Sequence, residues 1–329
     1  MARREKILAY GSWLAVCFFW GTTYLAIRVG LETLPPTLFG GLRFLLAGTA
    51  LLAFVLWRGE RLPRGREWWK LGLVGVLLLG VGNGVVVWAE QWISSGMTAL
   101  LISTSPFWVV GAERLGRGGE RAGANVLLGM LLGFAGMALL VGPELFGAQL
   151  DARFLLGLVL LQVGCASWSG GSVFAKRHPT EVAPLMSAAV QMLAGGAALA
   201  LAGTLRGEWA SLEFSGRSLG AFLYLVVFGS LVAYTAYTYA IQKLPLSLVS
   251  TYSYINPVIA VLLGWLLLGE PLGWRVAAGA GVILCGVAVV KGGAPRRETE
   301  DAGRVAVEPK ASEDGARAAT QKVCSAGAD

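Results

Sequence analysis

Residues 7–28 read ILAYGSWLAVCFFWGTTYLAIR. A membrane-spanning helix needs about 20 mostly apolar residues, because no water inside the bilayer can satisfy a broken backbone. This run meets that length. Its second half holds Trp20-Gly21-Thr22-Thr23-Tyr24 and then Arg28, and 148 residues later Trp168-Ser169-Gly170-Gly171-Ser172 is followed by Lys176. Before the run stands Met1-Ala2-Arg3-Arg4-Glu5-Lys6, which resembles the opening of a signal peptide. The apolar run is too long for one and no small-residue cleavage site follows, so it is expected to stay as the first span.

Working outward, nine more apolar stretches follow, at 36–57, 71–91, 97–113, 122–142, 154–176, 184–204, 218–241, 245–268 and 272–291. The echo continues through them. Pro36 and Arg43 are answered by Pro184 and Gln191 at an offset of 148, and Trp88 and Gln91 by Tyr239 and Gln242 at 151. Pro106 matches Pro257 at 151, and Gly129 and Gly136 match Gly279 and Gly286 at 150. A nearly constant offset that joins Pro, Trp and polar positions marks a repeat and not merely a run of similar apolar helices. Five spans per half turn the second copy upside down, an architecture that places a transporter's binding site between the halves near the bilayer midplane. The expected fold is an all-α integral membrane protein of ten helices, with inverted repeats at 7–142 and 154–291 joined by a loop at 143–153.

Composition agrees with a membrane location. The chain is 55% hydrophobic and 14% charged, with a mean hydropathy of +0.64, whereas soluble domains carry about 25% charged residues. The net charge of +7 would suggest nucleic acid in a soluble protein. Here it sorts by side instead. Seventeen Lys and Arg flank one set of span ends and four flank the other, with Arg28 left uncounted. That bias places both termini in the cytoplasm. Residues 292–329 carry no apolar periodicity and are expected to be a disordered cytoplasmic tail. Cys17, Cys165 and Cys285 lie in apolar stretches and Cys324 in the tail, with neither a disulfide pattern nor metal-ligand spacing. No cofactor, metal or nucleic-acid partner is expected.

Trp20-Gly21-Thr22, Pro35-Pro36 with Leu42-Arg43-Phe44, Pro106, and Asn256-Pro257 with Gly269-Glu270 resemble, in order and spacing, EamA-type members of the drug/metabolite transporter superfamily. The resemblance covers 7–291. It implies ten helices, both termini inside, and export of amino acids or other small metabolites. One departure is Glu113-Arg114-Leu115-Gly116-Arg117, where the second half runs on as Trp265 to Glu270. Span 4 therefore ends early.

Arg43 is the sharpest single residue. It lies seven residues past Pro36, about 10 Å along a helix. An Arg in that position costs about 2.5–3.5 kcal/mol on insertion scales. It either receives a carboxylate, for which its fork suits, or snorkels and bonds backbone carbonyls. Glu90, in the same leaflet, is a candidate partner and a candidate proton carrier, or else an ordinary interfacial acid. Glu113 and Glu270 read as a span-end residue and a helix cap. The expected cavity lining comprises Trp20, Thr22, Thr23 and Arg43 from spans 1 and 2, then Asn83, Trp88, Ser103 and Thr104. From the second half come Trp168, Ser172, Gln191, Tyr234, Tyr237, Thr251 and Asn256. Such groups prefer each other or water to lipid, though a hydroxyl can also return to its own helix backbone. Pro106 and Pro257 are expected to bend their helices or free a carbonyl. Gly80 with Gly84, and Gly129 with Gly133, have the spacing that lets helices approach closely. Trp68, Trp69, Trp92, Trp209 and Trp274 fit an interfacial belt.

Other classes fit less well. The only histidine, His178, lies in a loop, and Asp151, Asp301, Asp314 and Asp329 all lie outside the spans. No H-E-x-x-H or phosphate-binding loop occurs, so an intramembrane enzyme is not expected. A scaffold would want a soluble module, and a channel would want rings of charge. The expected function is secondary active or facilitative transport of a small organic metabolite by alternating access, in the direction of export. Protons are a candidate coupling ion. Substrate and oligomeric state are unread.

Overall fold

A computed structural model describes residues 3–93, 95–114, 123–147, 152–259 and 274–293. Glu270 and the tail from residue 294 onward lie outside these residues. Among those described, every regular element is helical. In chain order they are α1 (Arg3–Gly30), α2 (Pro36–Trp57), α3 (Arg66–Ala89), α4 (Ser95–Ile102), α5 (Ser105–Arg114) and α6 (Ala124–Gly147). Then come α7 (Ala152–Arg177), α8 (Pro184–Leu205), α9 (Gly216–Lys243), α10 (Leu246–Val249), α11 (252–259) and α12 (Trp274–Gly293). Six of them, α1, α2, α3, α7, α8 and α9, are long and apolar enough to cross a membrane by length and composition.

The sequence starts these helices in recognisable ways. α2 and α8 each open on proline, whose missing N–H costs nothing in a first turn. The Glu208 carboxylate accepts the Leu38 N–H at 2.8 Å and so caps α2 from the far half of the chain. A negative charge there is stabilised by the exposed N–H groups of the helix start. α9 begins with a capping box built from Ser215 and Ser218.

Two expected spans are interrupted. Span 97–113 is divided between α4 and α5, with Ser103 and Thr104 in the break. Pro106 is the second residue of α5, so it helps to open a new helix and does not bend a continuous one. The Thr104 hydroxyl returns to Leu101 O at 2.7 Å, and the Ser105 hydroxyl takes Ile102 O at 2.6 Å, a carbonyl whose helical partner four residues on is Pro106, which has no N–H. In the second half the turn at Ser250–Thr251 separates α10 from α11, and Pro257 lies within α11.

Packing repeats with the sequence. α2 and α8 run antiparallel in close contact, pairing Leu38 with Gly203, Gly41 with Ala200, Leu45 with Gly196 and Gly48 with Leu193. Leu45 and Leu193 are 148 apart, as are Gly48 and Gly196. Each glycine therefore receives the other copy's leucine, which is the signature of a local two-fold relation. A Cβ placed on Gly41 would lie 2.6 Å from Ala200 N, so the backbones touch because glycine permits it. α6 and α12 repeat the pattern: Gly136 meets Gly279, and Gly286 meets Gly129. α3 and α9 share a further feature that the residues did not announce. Each contains a π-helical stretch, Val76–Asn83 and Leu225–Val232, at an offset of 149. Such widened turns free backbone carbonyls and cluster at functional sites.

Candidate functional site

Inside the bundle, α1, α2, α3, α4, α5, α7 and α11 surround a cavity of about 610 Å³, mouth included. Its aromatic wall begins at Trp20. That ring meets Trp168 edge-on at 5.3 Å, Tyr237 at 5.1 Å and Tyr252 edge-on at 4.9 Å between centroids. Aromatic pairs of this kind contribute about 0.5–1.5 kcal/mol each beyond area burial. The Trp20 indole N–H donates to Gly229 O, within the π-helical stretch of α9, at 3.1 Å. Trp20 and Trp168 are equivalent in the repeat, and they touch each other.

Arg43 reaches the same stretch from α2. It is buried, its Nε–H donates to the Ser230 hydroxyl at 2.8 Å, and its guanidinium lies 4.8 Å from the Phe44 ring centroid. A charge-assisted hydrogen bond contributes about 1.5–3 kcal/mol, comparable with the insertion cost of the residue. Gly229 makes the approach possible, since a Cβ there would lie 2.7 Å from Arg43 Nη2. Asn83 faces the cavity from α3, with its buried Oδ1 lacking a hydrogen-bond partner. From α11, the Asn256 amide nitrogen, turned toward its acceptors, donates to Cys17 O and Tyr252 O at 2.9 Å each. The cavity thus offers a cation, a free amide acceptor and aromatic faces.

Of the expected lining, Trp20, Thr23, Arg43, Asn83, Trp168 and Asn256 border this space. The others lie elsewhere. The Thr22 hydroxyl bonds Phe19 O and the Tyr224 hydroxyl. Trp88 packs edge-on against Trp92 at 4.8 Å, with the Arg206 guanidinium over its ring at 5.3 Å. Ser103 is buried at the α4–α5 break, and Thr104 bonds Gln162 Oε1 at 2.9 Å. Thr251 returns its hydroxyl to Leu248 O. Tyr237 is buried behind the wall, joined to Ser172 at 2.6 Å and accepting the Trp168 N–H at 3.0 Å. Tyr234 donates to Gln191 Oε1 at 2.7 Å.

Glu90 does not pair with Arg43. It is buried, and neither carboxylate oxygen has a hydrogen-bond partner among the described residues. Arg28 donates instead to the backbone carbonyl of Glu90 at 3.1 Å. The geometric reason lies in Ser230, which holds the Arg43 head against α9. Trp68, Trp69, Trp209 and Trp274 are exposed, as an interfacial belt requires.

Tyr24, Ser105, Cys165 and Tyr252 line the cavity without having been singled out as site residues. Three of the four had signals in the sequence; Tyr252 had none. Tyr24 follows Trp20 by four residues, one turn along the same helix face. Ser105 and Asn256 stand 151 apart and Cys17 and Cys165 stand 148 apart, both at offsets of the repeat.

Comparison with known proteins points one way. The model of the EamA-like transporter family matches residues 7–142 and again 155–291. The chain is 38% identical over 292 residues to the uncharacterized inner membrane transporter YedA of Escherichia coli (strain K12), covering 88% of this chain and 92% of that protein. It is 24% identical over 275 residues to the uncharacterized transporter YoaV of Bacillus subtilis (strain 168), covering 83% and 93%. A crystal structure described only as that of a protein superposes with a TM-score of 0.72 at 24% identity, over 85% of this chain and 95% of its own.

Proposed function

We propose that this chain, which belongs to the EamA-like transporter family, carries a small amphipathic organic molecule through the cavity between Trp20, Arg43, Asn83 and Trp168. Transport in general is the family's role. Cargo, direction and mechanism are our reading. The observation that carries it is the lining itself. A guanidinium, an amide oxygen without a partner and stacked aromatic faces suit a molecule with a polar head and an apolar body better than a bare ion. Among the described residues no nucleophile in the cavity is held by a base, which favours recognition over catalysis.

The chain then sits in the inner membrane as ten spans in two inverted five-helix repeats, 7–142 and 154–291, with both termini in the cytoplasm. The reciprocal glycine contacts of α2 with α8 and of α6 with α12 support the inversion, because antiparallel helices exchanging equivalent residues lie about a two-fold axis across their length. Alternating access would rock one half against the other, in the direction of export. Glu90, buried without a carboxylate partner, is the candidate for proton coupling.

The test is efflux from proteoliposomes loaded with a mixed pool of amino acids and small metabolites, read by mass spectrometry with and without a pH gradient. Selective loss of one compound class supports the reading, and its dependence on the gradient decides coupling. No loss of any compound from folded protein overturns it. A reporter fused after Lys291 should read as cytoplasmic; a periplasmic signal would overturn the topology.

A further inference from the structure

Where α3 and α8 begin and α7 and α9 finish, a second cavity of about 850 Å³ opens, mouth included. Three lysines converge on it: Lys70 in the first turns of α3, Lys176 in the last turn of α7 and Lys243 at the end of α9. No carboxylate is among its lining residues. Glu67, one turn before Lys70, is already occupied: it accepts from the Arg61 guanidinium, from Arg64 N and from Glu181 N. Lys176 Nζ donates to Leu244 O at 3.3 Å, whereas Lys70 Nζ has no polar partner among the described residues.

Lysines at the inner ends of helices are ordinary. Two further observations are not explained that way. Ser187, in the first turns of α8, lines the cavity with 2% exposure, and its hydroxyl has no hydrogen-bond partner. A buried polar group without a partner calls for one. Gln191, one turn deeper, spends Oε1 on the Tyr234 hydroxyl and leaves its Nε2 donor unbonded among the described residues. Unpaired donors thus line the depth of the space, an ammonium stands free at its side, and the Phe174 ring forms part of the wall.

We propose that this cavity is a docking site for the carboxylate end of an amphipathic organic anion, with Lys70 as the electrostatic contact and the Ser187 hydroxyl as a donor to the carboxylate. The inference rests on the transport reading in one respect, that the anion is cargo received before it reaches the central cavity. A partition of Tyr234 and Tyr237 lies between the two spaces. Tyr234 touches Gln191 on one side, and its ring lies edge-on to Trp168, 6.4 Å away, on the other.

The experiment uses the full chain in lipid nanodiscs and 4-fluorobenzoate as probe, followed by fluorine NMR, with 4-fluorobenzamide as the neutral control. Benzoate should bind saturably and at least about tenfold more tightly than benzamide. Lys70→Gln and Ser187→Val should each weaken benzoate several-fold, and Arg217→Gln, an exposed change at the opposite end of α9 from Lys243, should leave it unchanged. Equal binding of the two probes overturns the proposal, as does benzoate binding lost in Arg43→Ala and kept in Lys70→Gln. Efflux measured on the same preparations separates the two ideas. Efflux without benzoate binding removes the docking site alone, and benzoate binding without efflux removes the transport reading alone.

Discussion

α3 and α9 share one backbone plan and use it to opposite ends. Each interrupts itself with a π-helical stretch at equivalent places and then resumes as α-helix. At the end of that stretch and one turn beyond it, α3 presents Asn83 and Val86 to the central cavity. α9 carries Tyr234 and Tyr237 just past its own stretch, 151 residues on from Asn83 and Val86, both buried and hydrogen-bonded. The space beside Asn83 is open, and the space around Tyr234 and Tyr237 is filled. Backbone geometry does not decide which side is open; side-chain volume does. A duplicated fold thus acquires a one-sided site through two positions.

The largest effect should come from erasing that difference. Asn83→Tyr gives α3 the side chain of α9 and fills the cavity where the free amide acceptor stands. Efflux from proteoliposomes should fall to background while the thermal transition of the purified protein is retained. Unchanged efflux would show that the route lies elsewhere.

Arg43→Ala comes next. It removes the guanidinium from the wall and leaves the Ser230 hydroxyl without its partner. Efflux should drop about tenfold or more, equivalent to about 1.4 kcal/mol or more of lost stabilisation along the path. Arg43→Gln sharpens the comparison, because glutamine is what the other half carries at Gln191. If the charge recognises cargo, Arg43→Gln should be as poor as Arg43→Ala. If the residue merely bridges to Ser230, Arg43→Gln should restore most of the efflux.

The reach of the sequence follows the same division. Helix starts at Pro36 and Pro184 were legible because proline has a single steric meaning there. The repeat was legible because Trp, Pro and Gly recur at fixed offsets. Arg43 was legible as buried, because a charge among apolar neighbours must be held by something. Its partner was not: Ser230 lies 187 residues away, and only the packing of α2 on α9 brings the two together. Thr22, Thr251 and Ser103 were expected at the cavity by polarity, but polarity does not give the direction in which a side chain points. The hydroxyls of Thr22 and Thr251 go to nearby carbonyls. The π-helical stretches had only weak signals, since Gly80, Gly82 and Gly229 suit close packing equally well.

Tyr237→Phe should act on stability more than on transport. It removes the hydroxyl that joins Ser172 and the Trp168 indole N–H. Ser172 keeps its bond to Trp168 O, but the Trp168 N–H loses its partner, and an unpaired donor of this kind costs about 1–3 kcal/mol. The melting temperature should fall, and efflux should change less than in Arg43→Ala. A variant with full stability would mean that water takes over the hydroxyl's bonds and that the filled side is wetter than its packing implies.

The smallest effect tests the two π-helical stretches against each other. Gly80 and Gly229 stand 149 apart, one in each stretch. A methyl on Gly80 would meet its nearest neighbour, Ala198, at 3.5 Å, an ordinary contact. A methyl on Gly229 would lie 2.7 Å from Arg43 Nη2 and 3.1 Å from Thr23. The first neighbour is the far end of a flexible side chain, so the protein should still fold, but the guanidinium must shift and its bond to Ser230 must stretch. Gly229→Ala should therefore slow efflux a few-fold and Gly80→Ala should not, with melting temperatures close to each other. Equal slowing in both would place the effect in the backbone shared by the halves. Slowing in Gly229→Ala alone would place it in Arg43, which only one half has.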